Sequence, residues 1–268
     1  MYWESKNGST PVHIQLCIDS VNRHKGNLKL HLLDQNSIFD YLPDLRPEWY
    51  KLKHPAHKAD YIRTRLVYTY GGLWLDCDMI VLSSLQPLFD NFPPEYDYAC
   101  QNIGTSIGCF LARPGCCLLE TIIDAQNHVI DNSGTDLTWY GIGNELLKLH
   151  GKEYPYLRWK EWTLDEIPGG EISKLFSINE SIEDNIDNSA IIFHLCNENS
   201  GPVFKIRLRE ARILSSNTLM SKIFRKALNI NLQNKFKIGP AEFFLNYNFA
   251  AYIKKNVTYF IKILYKPT

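Results

Sequence analysis

Residues 58–82 read KADYIRTRLVYTYGGLWLDCDMIVL, from Lys58 to Leu82. Ala59, Ile62, Leu66 and Tyr70 recur at helical spacing, and Gly71-Gly72 supply the left-handed stop that a helix end favours. On that helix Asp60 and Arg63 share a face, one turn apart. From Leu73 the period changes to two, so Leu73, Leu75 and Cys77 point one way while Trp74, Asp76 and Asp78 point the other. Both carboxylates are then expected on one face of one strand, their α-carbons about 6.6 Å apart at strand rise. Two hard oxygen ligands at that spacing suit magnesium or manganese, with phosphate oxygens completing an octahedron. An Asp-X-Asp at a strand end can equally be a solvated turn. The buried strand, and the helix with Asp60 and Arg63 ahead of it, favour a metal and phosphate site.

Outward from this stretch the chain alternates strand and helix. Tyr2-Trp3-Glu4 ends a short strand, and Ser9-Thr10-Pro11 opens a helix over Val12–His24 that Gly26 closes. Leu28–Leu33 is the next expected strand, and strand-helix-strand at the start is typical of an α/β sheet. A short helix follows over Asn36–Leu42, then a proline-punctuated loop over Pro43–Pro55. Beyond Leu82, strands are expected over Asp97–Gln101 and Ile107–Ala112, with helices from Pro114 to Ile130 and from Gly143 to Leu149. Gly141 and Gly143 either let the backbone close to something bound or are turn residues. Ile167–Asn188 reads as an acidic, peripheral segment. Ala190–Leu195 is a buried strand that carries His194 near its end.

With 268 residues, 45% of them hydrophobic and 13% aromatic, the chain can bury a large core in one main domain with an appendage. Its seven cysteines (17, 77, 100, 109, 116, 117 and 196) form an odd set without Cys-X-X-Cys. Neither a disulfide framework nor a thiol zinc site is favoured, and a reducing cytoplasm is expected. No amino-terminal stretch reads as a signal sequence, and no apolar run reaches the roughly 18 residues that span a bilayer. The net charge is zero, yet residues 203–268 hold 13 Lys or Arg against Glu210 and Glu242 alone, +11 against −11 for residues 1–202. Such asymmetry suits an anionic partner. Aromatic residues interleaved with Lys254, Lys255, Lys262 and Lys266 suit a lipid headgroup layer over 240–268, and no nucleic-acid partner is expected. The same apolar stripe, over 219–268, could instead pack on the main domain.

The segment His57–Arg63, continued through Gly71-Gly72-Leu73-Trp74-Leu75-Asp76-Cys77-Asp78, resembles the sugar-binding DXD region of family 32 glycosyltransferases, the bacterial capsular polysaccharide synthesis group in particular. It is similar, at greater distance, to the clostridial glucosylating toxins. The resemblance covers residues 1–202 and is densest over 57–82. It implies a GT-A fold, an α/β Rossmann-like nucleotide-sugar-binding domain over 1–202, followed by a basic amphipathic helical region over 203–268. It also implies a UDP-sugar donor, a divalent metal such as Mn2+ or Mg2+, and retention at the anomeric carbon. By position, Asp60 and Arg63 match the residues that contact donor sugar and phosphates. Asp76 matches the first motif carboxylate, which contacts ribose and sugar and also reaches the metal, and Asp78 matches the direct metal ligand. Trp74 matches the aromatic position before the motif, and Trp3 resembles a first-strand tryptophan that stacks on uracil. His194 resembles the late histidine that completes metal coordination, although no tryptophan follows it; a strand histidine satisfied by its neighbours fits as well.

These readings converge on a cytoplasmic enzyme, peripheral on the inner face of the plasma membrane, that transfers a hexose to a lipid-linked or oligosaccharide acceptor in capsule or lipopolysaccharide assembly. Two other classes are open. LWLDCDMIV resembles the first motif of haloacid-dehalogenase-type phosphohydrolases, with Asp76 as nucleophile, but no downstream acid pair follows. A non-catalytic sugar-binding, membrane-associated module would also keep the motif.

Overall fold

Gly71 ends a helix with its φ at +67°, and an added Cβ there would stand 2.6 Å from Pro114 Cδ. The left-handed stop expected after Tyr70 is therefore present, and the close approach of Pro114 reserves it for glycine. A computed structural model describes residues 1–5, 9–104, 106–133, 137–167, 169–196 and 210–231. Its elements run α1 (Val12–His24), α2 (Glu48–Lys51), α3 (Pro55–Tyr70), β1 (Gly72–Leu75), β2 (Met79–Val81), α4 (Gln86–Asp90), β3 (Tyr98–Cys100) and β4 (Cys109–Ala112). There follow α5 (Cys117–Ser133), α6 (Asn144–His150), β5 (Leu157–Arg158), β6 (Leu164–Glu166), β7 (Ile192–His194), α7 (Glu210–Ser215) and α8 (Leu219–Leu228).

The chain forms two compact units. The first takes residues 1–10, 25–77 and 84–164. Its sheet has the order β1-β4-β3-β5, antiparallel except for the β3–β5 pair. Gly72 to Leu75 pair with Ala112 to Cys109, and the ladder gains one bond past the strand, from Asp76 N–H to the Gly108 carbonyl. Helix α3 is buried on most of its circumference, and its Thr64 and Arg65 donate to Gln126 of α5. The core of this unit includes Trp49, Tyr61, Ile62, Trp74, Phe110, Leu119 and Leu147.

The second unit takes residues 11–24, 78–83 and 165–268. Its sheet is β2-β7-β6, with Met79, Ile80 and Val81 antiparallel to His194, Phe193 and Ile192. Helix α1 lies against β2, where Ser20 Oγ accepts the Val81 N–H at 2.9 Å. Helix α8 is capped by Thr218 at its start and by left-handed Asn229 at its end, and its apolar face joins Leu16, Ile80 and Phe193 in one core. Of the basic segment 219–268, then, residues 219–228 pack into the core rather than present an apolar face. Residues 232–268, which hold the membrane segment 240–268, lie outside the described residues. The division expected after residue 202 falls at 197–209, also outside them, and residues 210–231 share a unit with α1.

Several sequence expectations need correction. Leu28–Leu33 is no strand: only Leu33 is buried there, making an isolated parallel bridge to Tyr2. The Pro43–Pro55 loop contains α2, folded around the fully buried Trp49. Ile167–Asn188 is not peripheral, because Ile167, Ile172, Leu175, Phe176 and Ile186 enter the second core. Its acidic residues occupy the solvent face of an amphipathic segment, which a charge count cannot separate from a loop. No helix among the described residues is long and apolar enough to cross a membrane.

Candidate active site

The strand expected to run from Leu73 and end in Asp76 and Asp78 stops short of the motif. β1 ends at Leu75 and β2 begins at Met79 in the other sheet, with Cys77 and Asp78 in a turn. The expectation that Asp76 and Asp78 project from one face of one strand is thereby overturned. The backbone explains the break. Asp76 N–H donates to Gly108 and the Cys77 thiol to the Tyr2 carbonyl in the first unit, while the Asp78 carbonyl accepts from Leu195 N–H in the second. Each carboxylate belongs to its own set of partners.

In the first unit, Arg63 joins Asp60 and Asp76. Its Nη2 lies 3.2 Å from Asp60 Oδ1 and 2.9 Å from Asp76 Oδ1, and its Nε donates to the Ala59 carbonyl. The Arg63 side chain is 4% exposed, against 12% for Asp60 and 29% for Asp76, so the guanidinium forms the floor of the cluster. Trp74 is buried; its Nε1 donates to Asp76 Oδ1 at 2.9 Å, and the guanidinium lies over its ring at 5.3 Å. Trp74 thus orients Asp76 and Arg63 from the core side. Burial pushes Asp60 up to about 6, against the pull of Arg63 and with the repulsion of Asp76 added.

Two glycines complete this cluster. A Cβ on Gly143 would overlap the Asp60 carboxylate, 2.6 Å from its Cγ, and one on Gly108 would stand 2.6 Å from Asp76 Oδ2. Gly143 lies in the turn that precedes α6, and the group its backbone closely approaches is the Asp60 carboxylate. Gln126 is fully buried, and its Nε2 donates to the carbonyls of both Asp60 and Ile142, so one amide ties the α3 turn bearing Asp60 to the chain entering Gly143. Trp3 stands apart from these groups: its indole N–H is buried with no acceptor among the described residues. A donor in that condition fits a ligand acceptor, as an aromatic base site would require.

In the second unit, His194 Nε2 lies 3.5 Å from Asp78 Oδ2 and Nδ1 lies 3.2 Å from Glu166 Oε2. Cys196 Sγ is 3.4 Å from the same Nδ1. Burial opposes the charge on His194, but Asp78, then Cys196 and Glu166, outweigh it and hold the imidazole well above the usual histidine range. The hydrogen bond from His194 in turn holds Glu166 below the ordinary range, while burial raises the Cys196 thiol. Sequence reading placed Asp78 and His194 and missed Glu166 and Cys196. The spacing His194-Leu195-Cys196 at a strand end was the available signal for the thiol. Glu166 gave none, lying beside an acidic run.

A divalent ion fits this donor set. A carboxylate and an imidazole nitrogen stand within one ligand-to-ligand distance, and Glu166 is placed to fix the ring tautomer that leaves Nε2 available, as outer carboxylates do for metal-bound histidines. Asp76 is differently engaged, its Oδ1 facing both Arg63 and Trp74.

Comparison with known proteins agrees with this architecture. Over 96% of its length the chain is similar to the apo form of the glycosyltransferase GlyE of Streptococcus pneumoniae TIGR4, covering 62% of that chain at 16% identity and a TM-score of 0.50. It is also similar to the galactosyltransferase LgtC solved with donor and acceptor sugar analogues, covering 87% of this chain and 96% of that one at 13% identity and a TM-score of 0.51. The fold is that of the GT-A glycosyltransferases. Residues 1–93 match the family described as capsular polysaccharide synthesis protein. An uncharacterized protein of Arabidopsis thaliana is 30% identical over 94 residues, which are 34% of this chain and 15% of that protein's length.

Proposed function

We propose that the chain is a metal-dependent, retaining glycosyltransferase that moves a hexose from a UDP-sugar to a glycan acceptor. The observation that carries this reading is the double use of the Asp-X-Asp motif. One carboxylate, Asp76, is set against the buried Arg63 with Asp60, and the other, Asp78, is set against His194. Breaking a bond to a diphosphate leaves negative charge on the departing group, and a fixed guanidinium stabilises such charge because it needs no reorganisation. A bound Mn2+ or Mg2+ would supply Lewis-acid stabilisation of diphosphate charge, with Asp78 and His194 Nε2 as its protein ligands. Asp60, held by Arg63 and boxed by Gly143, is fixed in position to accept from sugar hydroxyls. Trp3 offers its indole N–H and ring to the base. A GT-A fold also takes the chain away from the phosphohydrolase alternative.

For the acceptor we infer a lipid-linked glycan of surface polysaccharide or lipopolysaccharide assembly, with the enzyme peripheral on the cytoplasmic face of the membrane. The family match over residues 1–93 and the 13 basic residues of 203–268 support that placement. The test is manganese-dependent hydrolysis or transfer across a panel of nucleotide sugars, with Asp78→Ala as control. Turnover that survives in Asp78→Ala refutes the metal assignment. Deletion of residues 240–268 is expected to release the protein from anionic vesicles, and unchanged binding refutes the anchoring.

A further inference from the structure

The imidazole of His194 presents Nε2 to Asp78 and Nδ1 to Glu166 and Cys196. On the Nδ1 face, Glu166 Oε2, His194 Nδ1 and Cys196 Sγ form a triangle with edges of 3.2, 3.4 and 3.5 Å. Zinc bound tetrahedrally at about 2.0–2.3 Å to oxygen, nitrogen and sulfur separates those atoms by about 3.4 Å for O to N and about 3.6 Å for either to S. Each observed edge is within about 0.2 Å of its tetrahedral counterpart. We propose that Glu166, His194 Nδ1 and Cys196 bind a thiophilic divalent cation of the zinc class; because a neutral imidazole offers one lone pair, this site and the oxygen-rich ion assigned to Asp78 and Nε2 fill in turn, not together.

A second feature marks Cys196. Two non-glycine residues among those described have positive φ: Asn229, an ordinary left-handed helix cap, and Cys196 at +51°. A left-handed cysteine is held against a local cost. Here that conformation follows β7 directly, and its Sγ stands beside Glu166 at the end of β6 and His194 at the end of β7. The three donors therefore come from two neighbouring strand ends of one sheet, a rigid support for ligands. Thiolate, imidazole and carboxylate together suit zinc, whereas magnesium and manganese favour oxygen. The 55% exposure of the Glu166 side chain leaves the triangle open on one side, where water can take a fourth position. Binding expels the Cys196 thiol proton and the His194 Nδ1 proton to solvent, leaves Nε2–H facing Asp78, and replaces the hydrogen bonds that hold the triangle in the metal-free protein.

The test uses the metal-free full chain and cobalt(II) as probe, and it does not depend on the transferase reading. One equivalent of cobalt is expected to give a thiolate-to-cobalt charge-transfer band that zinc abolishes. The band should persist in Cys117→Ser, which removes the exposed thiol, and vanish in Cys196→Ser. No band, or a band that survives Cys196→Ser, overturns the proposal. Should Cys196→Ser fail to fold by circular dichroism, Glu166→Gln at its exposed position decides. Zinc affinity, read by competition with a chromophoric chelator, is then expected to fall about tenfold or more, and an unchanged affinity overturns the site.

Discussion

Asp76 and Asp78 are separated by one residue, yet their surroundings have opposite character. Asp76 faces the buried guanidinium of Arg63, which lies over the Trp74 ring and is shared with Asp60. Asp78 faces an imidazole whose charge depends on what else it binds, with an open carboxylate and a thiol on its other nitrogen. A permanent cation fixed in the core suits steady electrostatic stabilisation. A titratable ring between carboxylates suits exchange of a proton for a metal. The motif is thus better described as two carboxylates with different partners than as a pair of equivalent ligands.

The largest expected effects break the comparison at its two poles. Asp78→Ala should lower metal-dependent turnover by about 10²–10³-fold or more, the scale of losing one principal electrostatic contact, while the melting temperature changes little. Turnover within about threefold of wild type would remove Asp78 from the metal. Arg63→Ala should act on folding as well, because it leaves the Asp60 carboxylate buried without its cation. A loss of about 3 kcal/mol is expected, read as a fall in the denaturant midpoint at unchanged slope. His194→Ala, by contrast, should cost about 1–2 kcal/mol, since its Glu166 partner lies in water. Equal losses at both poles would erase the distinction between a buried cation and a titratable one.

What was legible in the sequence is the local half of this arrangement. Helix α1 spans Val12–His24 as read, because Pro11, the apolar spacing and Gly26 are all within the segment itself. The Asp60–Arg63 pair was equally readable, since helix geometry alone sets the i, i+3 relation. The break between β1 and β2 was not, because the partners that impose it, Gly108, Tyr2 and Leu195, lie far away in the chain. Leu28–Leu33 failed for the same reason in reverse: its strand-forming residues find one bridge and no ladder. Glu166 was hidden because a single carboxylate near an acidic segment carries no periodic signal.

Smaller effects sharpen the Asp76 side by separating its two carboxylates. Gly143→Ala places a methyl against Asp60, and Gly108→Ala places one against Asp76 Oδ2. Each should cost about 1–3 kcal/mol by overpacking. Asp60 is the more buried carboxylate and is tied through Gln126, so it cannot yield; Asp76 has solvent on one side and can. Gly143→Ala should therefore be the more damaging to stability, and the reverse order would show that Asp60 has room to move. Gln126→Leu keeps the side-chain volume but removes four hydrogen bonds, two donated to the Asp60 and Ile142 carbonyls and two accepted from Thr64 and Arg65, and should lower both stability and kcat.

The smallest expected effect concerns pH and is confined to Asp60. Its carboxyl, raised by burial from 3.8 to about 6, holds a proton in the native state at a pH where the unfolded chain has lost it. The stability this contributes is fully present below pH 3.8 and is lost as pH rises through 6. Acidification from pH 7 to pH 5 should consequently add stability through this group, opposite to the usual behaviour of a paired carboxylate. Asp60→Asn, neutral throughout, should flatten that part of the curve. Melting temperatures of the two proteins across pH 4.5–7.5 read the difference, and carbon-detected NMR of the Asp60 carboxyl reads its midpoint directly. A midpoint below 4 would mean that Arg63 prevails over burial, placing a full negative charge beside Asp76 at neutral pH that the guanidinium alone offsets.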